Sequence, residues 1–412
     1  MGAWVLLFVL SLLAGGAIVV AMVSPRLSAA LAFGLGTLAL AVALMSASSL
    51  MRLYDTSAAV ATAVLFIVSA SVGGYVLACA LLPRFAPWPP RAPLPPVVGD
   101  DAGLVIITWT EPDTYDLPSE VAAQQSLVET GALELPSVVL PIQLLARKSR
   151  YRAAGGRAPA VGDVRALGDA LATAAEPWGT GGVRTVCAMQ PRGLAEAVAA
   201  LSADGRSRIG VVVLGPTDAE EIDEQRRHLS ALEPHEAGVS VRFAPSLLRD
   251  DRLAERLANR IMTLTHDVAP STVGVVLVSP GVPESWRVEH QSCCEDENYF
   301  DQRVRMLLAE RGLDDRVIRQ AWIDWQTPDV TEAARHVAAL GCERIIIAPS
   351  TVLLPTLYTA VDLEQIAGVL RLPDGVGVVT LQPGVIDEEL LACVRDHARD
   401  AVPHRETKRP AG

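Results

Sequence analysis

Nine consecutive residues gather the densest ligating chemistry in the chain: Glu289-His290-Gln291-Ser292-Cys293-Cys294-Glu295-Asp296-Glu297. An imidazole, two thiols and four carboxylates can hold a transition metal, with His290, Cys293 and Cys294 as candidate ligands. Adjacent cysteines do not easily share one tetrahedral ion, and no Cys-x-x-Cys partner occurs elsewhere, so the run also reads as a solvated loop before a helix opening near Tyr299. A second set is acidic. Asp324, Asp362 and Glu364 offer carboxylates of the kind that suit ferrous or magnesium ions. Asp362 also opens a helical pattern, where the helix dipole alone favours a carboxylate. A third feature is GVVLVSPGVPE at 274–284, an apolar strand that stops at a loop. The loop begins with Pro280, which brings neither a side-chain base nor a backbone N–H.

Short apolar runs alternating with helical patterns position these groups. Strands are expected at 104–107, 184–188, 209–214, 273–278, 344–348 and 376–380, several without polar alternation, as in strands covered on both faces. Helices are expected at 164–174, 193–203, 219–232, 251–263, 299–311, 331–340, 362–370 and 387–399. Strand–helix alternation at this spacing implies parallel sheets with right-handed crossovers. An internal echo runs through it. Residues 197–217 read helix, Gly205, charge, the strand IGVVVLG, then Pro216-Thr217; residues 337–351 read helix, Gly341, charge, the strand IIIA, then Pro349-Ser350-Thr351. Two similar α/β lobes would bring both sets of strand ends to one cleft, where such sheets bind ligands.

The first 97 residues differ sharply from the rest. Arg26, Arg52, Asp55, Arg84 and Arg91 are the only charges there, and three apolar runs, 3–23, 27–50 and 58–82, each match the roughly 20 residues that cross a bilayer. The expectation is a membrane anchor of three transmembrane helices at 1–82, since a signal peptide accounts for one run and not three. Seven prolines between 83 and 96 make 83–102 a semi-rigid linker, with Trp88 at the membrane interface. Arg26, Arg84 and Arg91 share a side with the C-terminal part, which places the soluble part in the cytoplasm by the positive-inside rule and the chain in the plasma membrane. Residues 103–401 form the two-lobed domain, and 402–412 a disordered tail.

With the anchor's charges set aside, 31 basic and 46 acidic residues leave a net −15, which argues against nucleic acid and against adhesion to an anionic lipid surface. The six cysteines are scattered, one within a membrane run, unlike a secreted disulfide framework.

Several segments, in chain order, resemble the ferrochelatase family. LVIITWTEPD at 104–113 is similar to the opening strand and its Gly-Thr-Pro-Asp loop, with Thr110 in place of glycine, and RYRAAGGRAP at 150–159 resembles an Arg-Tyr-x-x-Ile-Gly-Gly-x-Ser-Pro segment. Tyr299, Asp301 and Gln302 are similar to Asp-Pro-Tyr-x-x-Gln; Trp325, Pro328 and Glu332 to a Trp-Leu-x-Pro-x-Thr-x-Glu stretch; and Thr356-Leu357-Tyr358, with Asp362 and Glu364, to Glu-Thr-Leu-Tyr and its acidic helix. The resemblance implies a chelatase-like fold of two lobes and a tetrapyrrole in the cleft between them. Gly155 and Gly156 would approach a flat macrocycle, and Trp109 or Tyr151 would stack on it or edge it.

The departures fall on the chemistry. Metal insertion removes two pyrrole protons, for which the family sets a histidine opposite a glutamate. Those positions are Pro280 and Pro355 here; Pro216-Thr217 stands where a histidine or tyrosine is frequent, and QAWID shortens a Gln-Ser-x-x-Gly segment. One expectation is therefore a membrane-anchored chelatase-like protein that binds porphyrin or haem with metal insertion lost or weakened, as a carrier, a sensor or a partner of another haem-pathway protein. Another is an active chelatase inserting ferrous iron with Asp324, Asp362 or Glu364 as substitute carboxylates. On these readings the 289–297 run becomes a metal or haem docking loop. A third is an interaction protein whose pocket has filled.

Overall fold

The computed structural model describes residues 2–24, 26–54, 57–82, 92–129, 136–173, 175–384 and 386–403. Trp88, Arg84, Arg91, Asp55, the first prolines of the linker and most of the tail lie outside them. The chain divides into two units, residues 1–89 with 115–152, and residues 90–114 with 153–412.

The first unit contains three helices, α1 (Gly2–Val23), α2 (Arg26–Tyr54) and α3 (Ser57–Leu81), followed later in the chain by α4 (Leu117–Glu129) and α5 (Leu140–Ala153). Two segments are long and apolar enough to cross a membrane, the 19-residue Val5–Val23 in α1 and the 21-residue Ala61–Leu81 in α3. The expectation of three is met in part: α2 forms, and the apolar stretch among its described residues is Leu31–Met45. Helices α1 and α3 meet at glycines. A Cβ on Gly15 would lie 1.8 Å from the Ser71 carbonyl oxygen, and one on Gly74 1.9 Å from that of Leu12, so only glycine permits this approach. Val19, Val23, Cys79 and Leu82 share a core with Val121, Leu140 and Leu144 of α4 and α5. Lys148 of α5 is 4% exposed and donates to the carbonyls of Ala21 (3.3 Å) and Met22 (3.2 Å), a cation set on the negative end of α1.

The second unit holds two parallel four-stranded sheets. In the first, β1 (Asp101–Thr108), β2 (Val183–Cys187), β3 (Arg206–Leu214) and β4 (Ser240–Phe243) lie in the order β2-β1-β3-β4. In the second, β5 (Val273–Ser279), β6 (Ile318–Trp322), β7 (Arg344–Pro349) and β8 (Gly377–Thr380) lie in the order β6-β5-β7-β8. The orders are equivalent, so the internal echo marks a repeated lobe. Helices α6 (Val161–Leu171), α7 (Gly193–Ala203), α8 (Glu220–Ser230) and α9 (Asp251–Thr263) accompany the first sheet in sequence. With the second come α10 (Glu284–Glu289), α11 (Gln291–Glu310), α12 (Val330–Ala339), α13 (Leu363–Val369) and α14 (Glu388–Ala401).

Central strands read as unbroken apolar runs because both faces are covered. Leu104, Ile106, Val212, Val275, Leu277 and Ile346 join one core shared by the lobes with α9, α11 and α14. Val105, Ile107, Val211 and Val213 face α7 and α8, while Val276, Ile345 and Ile347 face α12 and α13. Each such side chain contributes about 1.5–3 kcal/mol by leaving water. The edge strands β4 and β6 were not expected, because Arg242, Arg319 and Gln320 interrupt their apolar pattern.

The boundaries also shift. Within the expected linker, the Leu94 and Val97 N–H groups donate to Leu232 and Ala237 carbonyls (both 2.9 Å), so this stretch is pinned to the first lobe. At the other end, Val402 is 4% exposed and Arg208 donates to the Pro403 carbonyl at 2.8 Å, so the ordered domain runs past residue 401.

Candidate functional site

The carboxyl ends of both sheets converge, and the segments singled out in sequence meet there. From the end of β1, the Glu111 carboxylate (2% exposed) accepts the Leu357 N–H with both oxygens at 3.1 Å. The Asp113 carbonyl accepts the Ala158 N–H at 3.0 Å, placing the segment after Gly155-Gly156 beside that loop. The Pro280 carbonyl accepts the Asp324 N–H at 3.1 Å. Gly281, at φ +83°, lies so close to this chain that a Cβ would sit 2.1 Å from the Asp324 carbonyl oxygen. Ser279 at the end of β5 is 3.2 Å from the Ser350 hydroxyl and 3.3 Å from that of Thr351, both just beyond β7.

Beside the ends of β5 and β6 lies a cavity of about 290 Å³, lined by Glu284, Arg287, Cys294, Glu297, Gln320 and Trp325 among others. Trp325 is 61% exposed and holds φ +65°, an unusual backbone state for a bulky residue. Two carboxylates stand out on α11. Glu297 is 8% exposed; burial first, and then the Asp301 charge, push it up to about 8. Asp301, one turn on, is 5% exposed; burial pushes it up to about 7 although the Ser350 and Gln320 side chains oppose the rise. Neither Asp301 oxygen has a hydrogen-bond partner among the described residues. Burial likewise lifts Glu221 to about 7. Carboxylates that titrate near neutrality at strand ends can take up, hold and release protons.

A second polar group joins the lobes. His290 Nε2 lies 2.9 Å from Glu220 and its Nδ1 3.5 Å from Asp223, while Ser292 donates to Asp218 at 2.8 Å. Ligand atoms of Glu220, Glu289 and His290 lie within 4.8 Å of one another, a spacing that a cation could bridge. The Glu220 charge is already matched by Arg227 at 2.6 Å, so the arrangement works as a staple across the seam.

The expected site residues separate. Residues 289–297 form no loop: α10 ends at Glu289 and α11 starts at Gln291, so Cys293 faces inward at 4% exposure. Burial and Glu297 push its thiol far up, which disfavours the metal-binding thiolate. Cys294 borders the cavity, and neither thiol joins His290, which gathers Glu220 and Glu289 instead. Tyr151 is 2% exposed, edge-on to Tyr115 at 6.0 Å, with no ring face free for a macrocycle. Trp109 packs its ring on Gly215 and donates its indole N–H to the Pro216 carbonyl at 3.1 Å. Gly155 and Gly156 border open space at positive φ. Pro280 and Pro355 are half-buried at the strand ends, and Asp324 and Glu364 are exposed, Glu364 bonded to Gln382. Asp362 does not begin a helix, because a π-helical turn, Tyr358–Asp362, precedes α13; the helix N-terminus therefore does not account for its carboxylate.

Sequence reading names Glu297 only within the 289–297 run and Asp301 only in the family resemblance, and assigns neither a role of its own. A signal was present: Cys293, Glu297, Asp301, Val304 and Leu308 follow one another at steps of four and three on one helix face, and acids at core-facing positions are anomalous.

No protein-family profile and no curated protein matches the chain. Among solved structures, one to which it is similar is SirB from Bacillus subtilis with Fe3+, at 10% sequence identity and a TM-score of 0.44, over 73% of this chain and 96% of that one.

Proposed function

We propose that the chain is a membrane-anchored, ferrochelatase-like protein that binds a tetrapyrrole, porphyrin or haem, where the strand ends of its lobes meet, with metal insertion weakened. The supporting observation is convergence. Segments resembling that family, separated by 246 residues in the case of Glu111 and Leu357, come together at one end of the paired sheets. Pro280, directly after β5, and Pro355, beyond β7, are half-buried and bring no side chain able to accept a proton. The cavity of about 290 Å³ lies near the lower limit for ligand pockets. Helices α1 to α3 serve as the anchor, with the lobes on the cytoplasmic side.

Titration of the detergent-solubilised full chain with haem and with a metal-free porphyrin, followed by absorbance, tests this reading. One saturable site per chain is expected; absence of saturable binding by either overturns it. Pro280→His is expected to raise ferrous insertion about 10²-fold by returning a general base to the strand end.

Glu297 and Asp301 favour a second reading, slow catalysis. Ferrous iron replaces two pyrrole protons without electron transfer, and a buried pair that titrates near neutrality can receive them. Insertion by the full chain that falls in Glu297→Gln and Asp301→Asn, but not in Asp324→Asn or Glu364→Gln, would establish it.

A further inference from the structure

Asp301 is buried at 5% exposure with both oxygens unpartnered among the described residues, and Glu297 lies one helical turn away at 8% exposure. Of the polar side chains beside them several are neutral, while Glu221 of α8 is a further buried acid acting on Glu297. Ser350 and Gln320 adjoin Asp301, Thr351 adjoins Glu297, and Ser279 links the two hydroxyls. The nearby Asp296 is engaged elsewhere, with Arg249 at 2.6 Å. Arg287, which lines the same cavity, is paired with Glu284 at 2.9 Å; holding two carboxylates out of water without a countercharge is costly, so the arrangement requires either bound protons or a cation. Glu297 and Gln320 also line the cavity, which gives an ion a route from solvent.

We propose that Glu297 and Asp301, with the hydroxyls of Ser350 and Thr351 and the amide oxygen of Gln320, bind a hard divalent cation that enters through this cavity. Carboxylate, hydroxyl and amide oxygens select magnesium, manganese(II) or ferrous ions over soft metals. The use of the ion as metal cargo beside a tetrapyrrole rests on the reading given above; the location of the site does not.

Manganese(II) serves as the probe, with the full chain in detergent after removal of metals by a chelator. Free ion is measured by electron paramagnetic resonance and heat by calorimetry. One saturable manganese ion per chain is expected, weakened about 10-fold or more in Asp301→Asn and in Glu297→Gln and unchanged in His290→Ala. Both variants keep side-chain size, circular dichroism checks their folding, and if one fails to fold the other decides. Three results overturn the site: no saturable manganese binding, binding that survives both substitutions, or loss in His290→Ala alone, which would place the ion at the seam. A porphyrin titration on the same samples separates the two readings. Manganese binding without porphyrin binding keeps this site and removes the tetrapyrrole assignment, whereas porphyrin binding without manganese binding removes this site alone.

Discussion

The two lobes share a strand order and treat a buried acid at their strand ends in opposite ways. In the first, Glu111 is 2% exposed and both oxygens accept the Leu357 N–H. The same end is closed by Trp109, packed on Gly215 and bonded to Pro216. In the second, Asp301 is nearly as buried, neither oxygen completes a hydrogen bond among the described residues although the Ser350 and Gln320 side chains adjoin it, and a cavity lined by Glu297 and Gln320 lies beside them. A matched buried carboxylate is a structural tie; an unmatched one stores a demand for a proton or a cation. The contrast holds for these two acids; the first lobe also carries Glu221, on α8, which burial lifts to about 7.

The largest test of this contrast is a pH scan of unfolding in metal-free buffer. Glu297 is raised from 4.5 to about 8, and Asp301 from 3.8 to about 7, chiefly by burial. Between roughly pH 4 and 8 the folded state then holds more protons than the unfolded one, so stability falls as pH rises and levels off above the folded values. A loss of roughly 5–7 kcal/mol from pH 5 to 8.5 is expected if both groups titrate at these values. A flat profile, or a rise, would mean that the second-lobe acids are matched after all.

Single substitutions should then split by lobe. Glu111→Ala removes the acceptor of a buried N–H and is expected to lower unfolding stability by about 2 kcal/mol. Asp301→Asn removes an unmatched charge and is expected to raise stability at pH 8 by about 1 kcal/mol. Equal signs for the two would break the comparison. The smallest expected change is in His290→Ala, about 1 kcal/mol by denaturant titration, because Glu220 keeps Arg227 when the imidazole is lost. A much larger loss would make the staple, rather than the shared apolar core, the main bond between lobes.

Much of this architecture was legible in the residues, for physical reasons. Strands such as 209–214 and 273–278 are apolar throughout because helices or a shared core cover both faces, and the pattern reports that directly. Edge strands β4 and β6 face water in part, so their arginines and glutamine hid them. The 289–297 run looked like loop because its charges are dense; helix α11 instead turns Cys293, Glu297 and Asp301 inward together. The meeting of Glu111 with Leu357 depends on how two lobes pack, which no local pattern encodes. The eye for proton acceptors fell on Asp324 and Glu364, which are exposed, because a linear reading ranks acids by neighbouring motif and cannot weigh burial.

Helix α14 crosses back to the first sheet. Gly210, in β3, lies so close to Ala401 and Val402 that a Cβ there would sit 3.0 Å from the Val402 nitrogen, and Arg208 reaches the Pro403 carbonyl 195 residues further along. A nascent chain emerging from the ribosome therefore cannot complete its first lobe before α14 has been synthesised. Until then one face of β3 stays uncovered, and the two halves mature together rather than in succession.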